Sequence, residues 1–141
     1  PSFRMILLLF LLSLFSSSYA VGRTQSVGIR GKLMCDDKPA GQVKLKLYDV
    51  DLAIDDLLDQ KESRADGTFE LGGHTEEISN IDPKLNIYHD CDDFLPCQRR
   101  ISIHIPNSYI SSGATPRKIY DAGTIQLSGK WDGETRDCLH R

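Results

Sequence analysis

The chain lacks an excess of positive charge and any long run of it. Lys and Arg number 17 against 20 Asp and Glu, a formal charge of −3. That balance argues against nucleic acid as a main partner, because phosphate binding depends on grouped Lys and Arg. Catalytic signatures are missing as well: there is no G-x-S-x-G elbow and no H-E-x-x-H pair. No Asn-x-Ser/Thr sequon follows residue 20, so N-glycosylation is not expected. No internal repeat or low-complexity stretch occurs, and no long amphipathic period separates the apolar segments, which excludes an α/β organisation.

Strong apolar character is confined to the N-terminal segment. Arg4 supplies a positive charge, Met5 to Leu12 form an unbroken apolar run, and Leu14 and Phe15 extend it. Ser16, Ser17 and Ser18 follow, then Tyr19 and Ala20. Ser18 and Ala20 place small side chains at the two positions a signal peptidase reads, so residues 1–20 are expected to be a signal peptide cleaved after Ala20. The run is shorter than the roughly 20 apolar residues that span a bilayer, and the chain is not expected to cross a membrane. The sequence opens on Pro1, so either a segment precedes it or translation begins at Met5.

Removal of the leader leaves residues 21–141, one domain by size, with a core expected over about 27–128 and a tail over 129–141. Only Arg4 is lost among charged residues, so Lys and Arg fall to 16 against 20 acids, a charge of −4. All four cysteines, Cys35, Cys91, Cys97 and Cys138, lie in this part. An even count in an exported chain implies two disulfides. Three pairings are open; the short Cys91–Cys97 separation favours that pair, leaving Cys35 for Cys138. Zinc, with His89 beside Cys91, is disfavoured because the spacing fits no familiar zinc pattern. No metal and no cofactor is expected.

Period-two alternation organises the mature chain. Val27, Ile29, Leu33 and Cys35 alternate with Gly28, Arg30, Lys32 and Met34, and Val43, Leu45 and Leu47 alternate with Lys44, Lys46 and Tyr48. Leu85, Ile87 and His89 share one face of a further segment, while Asn86, Tyr88 and Asp90 share the other. Ile101, Ile103 and Ile105 repeat the pattern, and a last strand is expected over Ile119–Leu127 with Ile125 and Leu127 inward. Successive strand side chains point to opposite faces, so each segment is expected to bury one face and wet the other. Asp66-Gly67 predicts a type I′ hairpin turn between a short polar strand near Lys61–Ala65 and Thr68–Leu71. Helical spacing of Ile54, Leu57 and Leu58 predicts a short helix over Ile54–Lys61, and Asn107–Lys118 is expected to be a loop. About seven short strands with turns between them give an all-β antiparallel sandwich, braced by disulfides.

These segments, in order, resemble the nematode transthyretin-like proteins. The resemblance rests on Gly31-Lys32-Leu33-Met34-Cys35 with Lys38-Pro39-Ala40, and on Val43-Lys44-Leu45-Lys46-Leu47-Tyr48-Asp49. It continues through Asp55-Asp56-Leu57-Leu58, Asp66-Gly67-Thr68-Phe69-Glu70-Leu71-Gly72-Gly73 and Ile81-Asp82-Pro83-Lys84-Leu85. Ile87-Tyr88-His89-Asp90-Cys91, Cys97, Ile105-Pro106, Asp121-Ala122-Gly123-Thr124-Ile125 and Cys138 complete it. It implies a transthyretin-like, immunoglobulin-like sandwich, an extracellular location and no enzymatic activity. The function it implies is extracellular binding or signalling; the leader, the disulfides and the missing catalytic set further suggest a sandwich surface or loops presented to a cell-surface receptor, a lipid headgroup or a peptide.

Several residues are candidates for such a surface. Asp49, Asp51, Asp55, Asp56 and Asp59 could offer carboxylates to calcium, although the stretch lacks the glycine and final Glu of an EF-hand, and a solvated acidic loop is the plainer reading. Arg99 and Arg100 with Lys84, Arg117 and Lys118 could form a basic surface for headgroups or an acidic receptor. Tyr109, Tyr120 and Trp131 are candidate anchors, with packing as the alternative. His89 is expected to be a half-buried structural histidine. Two rival functions remain. A 5-hydroxyisourate hydrolase of the same fold would end in Tyr-Arg-Gly-Ser, whereas this chain ends Cys138-Leu139-His140-Arg141. A carrier of a small hydrophobic ligand would need a channel between subunits, and the sequence is silent on oligomeric state.

Overall fold

β1 (Arg23–Cys35) runs 13 residues and is the spine of one sheet in the computed structural model, which describes residues 2–15 and 22–139. The chain then forms β2 (Lys38–Pro39), β3 (Lys44–Asp49), β4 (Asp56–Glu62), β5 (Thr68–Glu77) and β6 (Pro83–His89). β7 (Gln98–His104), β8 (Ser111–Ser112), β9 (Ile119–Gln126) and β10 (Thr135–Asp137) complete it, with one 3-10 turn at Asn107–Tyr109. Two five-stranded sheets result. In the first, β1 pairs with β2, β5, β8 and β9; the second runs β10-β7-β6-β3-β4.

The inward rows of the two sheets meet in one core. Val27, Ile29, Leu33, Phe69, Leu71, Ile125 and Leu127 come from the first sheet and the segment after β9, each no more than 3% exposed. Leu45, Leu47, Leu85, Ile87 and Ile101 face them from the second, as the alternation requires. Full burial of one such side chain contributes about 1.5–3 kcal/mol. Gln25 is buried among them and uses both ends of its amide: Nε2 donates to Ser79 O at 2.7 Å and Oε1 accepts from Ile81 N at 3.0 Å.

Several sequence expectations need correction. The strands number ten because β2, β8 and β10 are too short to leave a periodic signature. One pair is not antiparallel: β9 lies parallel to β1. Ile54–Lys61 is not helical, since Asp56–Glu62 is β4, paired with β3. The register slips between Leu47 and Tyr48, which skips Leu58, and this bulge explains two adjacent leucines that look helical in sequence. Gly73 of β5 accommodates the bulge: a Cβ there would lie 2.6 Å from Leu58 O.

The Asp66-Gly67 turn is real but of another kind. Gly67 N donates to Arg64 O, and of the pair only Gly67 has positive φ, so this is not the type I′ turn. Asp66 Oδ1 instead accepts from Thr68 N at 3.0 Å, and the flanking strands β4 and β5 enter different sheets.

The disulfides are Cys35–Cys91 and Cys97–Cys138, not the expected Cys91–Cys97 and Cys35–Cys138. The reason lies in the alternation. Cys35 continues the inward row of β1, and Cys91 continues the inward row Leu85, Ile87, His89 of β6, so the two sulfurs converge across the sandwich. Asp137 pairs with Gln98, which carries the next residue, Cys138, alongside Cys97.

At the N-terminus Ser2–Phe15 is an α-helix. At 14 residues it is about 21 Å long, and among the described residues no helix is long and apolar enough to cross a membrane. The expected cleavage residues Ser18 and Ala20 lie outside the described residues.

Two substitutions test this packing. Leu47→Ala is expected to cost about 2–5 kcal/mol in urea unfolding, and Gly73→Ala about 1–3 kcal/mol because β4 must move off β5. A neutral Gly73→Ala would show that the β4–β5 closure is looser than described.

Candidate binding surfaces

The acidic residues gather at one end of the sandwich. Asp49 ends β3, Asp56 opens β4, Asp51 lies between them and Glu77 ends β5; one carboxylate oxygen from each falls within 4.8 Å of the others. Asp49 is 2% exposed and accepts from Asp82 N at 2.8 Å. Burial raises its pKa, and burial raises that of Asp51, whereas repulsion from Asp51 is the main cause of the upward shift at Glu77. Glu77 was not legible in sequence, because it arrives from the other sheet. Asp55 is turned away to Lys84, at 3.5 Å, and to Asp51 N. Asp59 accepts from Gly72 N at 3.1 Å. The expected stretch is thus divided between a four-carboxylate cluster and structural contacts. Leu52, Ile54 and Ile78 stand exposed on the neighbouring loops.

The five basic candidates do not form one surface. Arg99 is 7% exposed and turned inward. Its guanidinium donates to Glu134 at 2.7 and 3.1 Å, to Cys91 O at 2.9 Å and to Gly129 O at 2.6 Å, which ties the tail to β6 and β7. Arg100 lies on the opposite face of β7 and donates to Thr135 Oγ1 at 2.9 Å. Lys84 is on the outer face of β6, held by Asp55. Arg117 and Lys118 flank a shallow hollow with Ser111 on the approach to β9, in the other sheet.

The outer face of the second sheet is drier than alternation implies. Tyr88 is 1% exposed and Asn86 4%. Asn86 Nδ2 donates to the Tyr88 hydroxyl at 3.2 Å, Ser102 Oγ donates to Asn86 Oδ1 at 2.7 Å, and the Lys46 ammonium sits 5.8 Å from the Tyr88 ring centre. Burial, then the neighbouring Tyr88, pushes the Tyr48 hydroxyl up to about 12. Tyr109 and Tyr120 pack edge to face at 5.0 Å, and the Trp131 indole donates to Gln126 O. All three are partly buried against the core.

His89 is 2% exposed. Its Nδ1 accepts from Cys91 N at 3.1 Å, which puts the proton of the neutral ring on Nε2. Nε2 is buried with no hydrogen-bond partner among the described residues. Burial, then the positive Arg99, lowers its pKa to about 4.

At the opposite end from the acidic cluster, the loop joining β6 to β7 carries Phe94 at 102% exposure and Leu95 at 60%. The loop is fixed at both sides. Cys91 and Cys97 are in different disulfides, and Asp93 accepts from Arg136 at 2.7 and 2.8 Å. Sequence reasoning missed this loop, since two exposed apolar residues carry no periodic signal.

This is a two-sheet sandwich whose described end loops carry exposed apolar side chains, Leu52, Ile54 and Ile78 at one end and Phe94 and Leu95 at the other. The chain belongs to the transthyretin-like family: the family model (TTR-52: Transthyretin-like family) matches residues 30–106. It is 57% identical over 137 residues to Transthyretin-like protein 5 of Caenorhabditis elegans, covering 94% of this chain and 99% of that protein. Identity is 53% over 121 residues to Transthyretin-like protein 33 (84% and 85% covered) and 44% over 143 residues to Transthyretin-like protein 2 (96% and 97%), both of the same nematode. Among solved structures, a 9R-lipoxygenase from Cyanothece superposes with a TM-score of 0.41 at 20% identity, over 79% of this chain and 17% of that one, too slight a likeness to bear on fold or activity.

Two outcomes follow from the buried groups. The folded pKa of His89 lies below its unfolded value of 6.5, so its contribution to stability is complete above pH 6.5 and is lost as pH falls toward 4. Wild type should lose about 3 kcal/mol more than His89→Gln between pH 7 and 4, read from urea midpoints; parallel curves would refute the burial of a neutral ring. Arg99→Met, which strands Glu134, should cost about 3–5 kcal/mol.

Proposed function

We propose that this chain is a secreted, non-enzymatic binding protein that engages an extracellular protein receptor through the β6–β7 loop. The observation that carries the reading is Phe94, wholly exposed on a loop held by two disulfides and the Asp93–Arg136 pair. A large aromatic side chain is costly to leave in water, and anchors of this kind dominate interface energetics. Fixing the loop in advance removes much of the ordering cost of binding. Exposed Asp36, Asp37, Asp90 and Asp92 belong to the segments at this end. Their charge favours a basic-rimmed pocket on a protein over an anionic lipid headgroup. The two disulfides and the N-terminal apolar segment support export.

The hydrolase reading is disfavoured by the histidines. His89 is buried with Nδ1 engaged, and His74 and His104 lie on different sheets. His140 is outside the described residues. The carrier reading needs a channel between subunits, so a strictly monomeric protein in solution would remove it.

Labelled mature protein titrated onto dissociated nematode cells should bind saturably. Phe94→Ala/Leu95→Ala should weaken this at least ~10-fold, and protease treatment of the cells should abolish it. Binding unaffected by the substitutions, or saturable binding to phosphatidylserine vesicles in its place, would overturn the proposal. No turnover of 5-hydroxyisourate is expected; turnover lost on replacing a histidine would establish the hydrolase instead.

A further inference from the structure

The two disulfides differ in surroundings, not in the loops they close. Sequence separations are 56 and 41 residues, and loop-closure entropy grows only with the logarithm of length, so the two close loops of similar cost. Cys35–Cys91 packs against the core: Cys91 is 8% exposed and Cys35 is partly buried beside it. Two carboxylates stand over it. The sulfurs of Cys35 and Cys91 and an oxygen from each of Asp36 and Asp92 all lie within 4.8 Å of one another. The two acids interact strongly enough that the hydrogen bond protonated Asp92 donates to Asp36 is the main cause raising the Asp92 pKa.

Cys97–Cys138 is peripheral. Cys138 is exposed, Cys97 is half-buried, and neither belongs to the core. Charges of both signs lie beside it: Arg136 reaches Cys97 O at 3.3 Å and forms a two-pronged pair with Asp93, and Asp137 precedes Cys138. What it fastens is small, the three-residue β10 and the end of the β6–β7 loop.

We infer that Cys97–Cys138 is a site of thiol–disulfide exchange with small anionic thiols, entered at Cys138, and that Cys35–Cys91 is shielded from the same chemistry. The attacking species is a thiolate, so access and local charge govern the rate. The thiolate attacks the exposed Cys138 Sγ, forming a mixed disulfide. The S–S bond breaks with its electron pair on Cys97 Sγ, which takes up a proton. A second thiolate attacks the sulfur that the first thiol contributed, releasing oxidised thiol and leaving Cys138 to be protonated. Two protein sulfurs are reduced and two thiols are oxidised. At Cys35–Cys91 the same thiolate meets two carboxylates and a buried sulfur. Exchange at Cys138 therefore loosens β10 and one anchor of the Phe94 loop while leaving the two sheets joined.

Native oxidised protein is exposed to graded reduced glutathione, quenched with iodoacetamide and mapped by peptide mass. Cys97 and Cys138 should be alkylated at least ~10-fold faster than Cys35 and Cys91, and amide exchange should lose protection in β10 but not in β1 or β6. Equal rates, or earlier labelling of Cys35 and Cys91, would overturn the inference. Asp36→Asn/Asp92→Asn should speed reduction of Cys35–Cys91 several-fold without changing Cys97–Cys138; an unchanged rate would remove the carboxylates from the explanation.

Discussion

The fold depends on one constraint: the inward rows of two sheets must share a single apolar interior. Val27, Ile29 and Leu33 on β1 and Leu85 and Ile87 on β6 are all fully buried, and each row ends in a cysteine of the same disulfide. Hydrophobic burial and the covalent bond therefore act on the same alignment. A one-residue slip in either strand would turn Cys35 or Cys91 to solvent along with the apolar row.

Around that core, charged groups act mainly as fasteners for the C-terminal tail. Arg99 is buried because its donors reach Glu134 and two carbonyls, a geometry that compensates for leaving water. Arg136 reaches back to Asp93, which holds that carboxyl near 2. The tail is short, but it brings Glu134, Arg136 and Cys138 to the start of β7. That is why the β6–β7 loop is more constrained than its sequence suggests.

Much of the sandwich was legible in the sequence because period two is a direct consequence of strand geometry. The buried identities of Val27, Ile29, Leu45, Leu47, Phe69, Leu71, Ile125 and Leu127 follow from it. Leu57 and Leu58 misled because a bulge breaks the alternation, and only the partner strand shows the bulge. The cysteine pairing was within reach: Cys35 and Cys91 have the parity of their inward rows, a stronger clue than closeness in sequence. Arg99 shared that parity with Ile101 and so was destined for the interior rather than a basic surface. The carboxylate cluster could not be read, since Glu77 meets Asp49 only after the sheets stack. Tyr88 was buried by neighbouring side chains on the outer face, which no single-strand pattern reports.

The chain, a member of the transthyretin-like family, is a sandwich with carboxylates gathered at one end and a pinned apolar loop at the other. Non-reducing peptide mapping of the protein isolated from its natural source tests the account most directly. Peptides joining Cys35 to Cys91 and Cys97 to Cys138 are predicted. A peptide joining Cys91 to Cys97 would mean that the inward rows of β1 and β6 do not face each other, and the packing described above would be wrong.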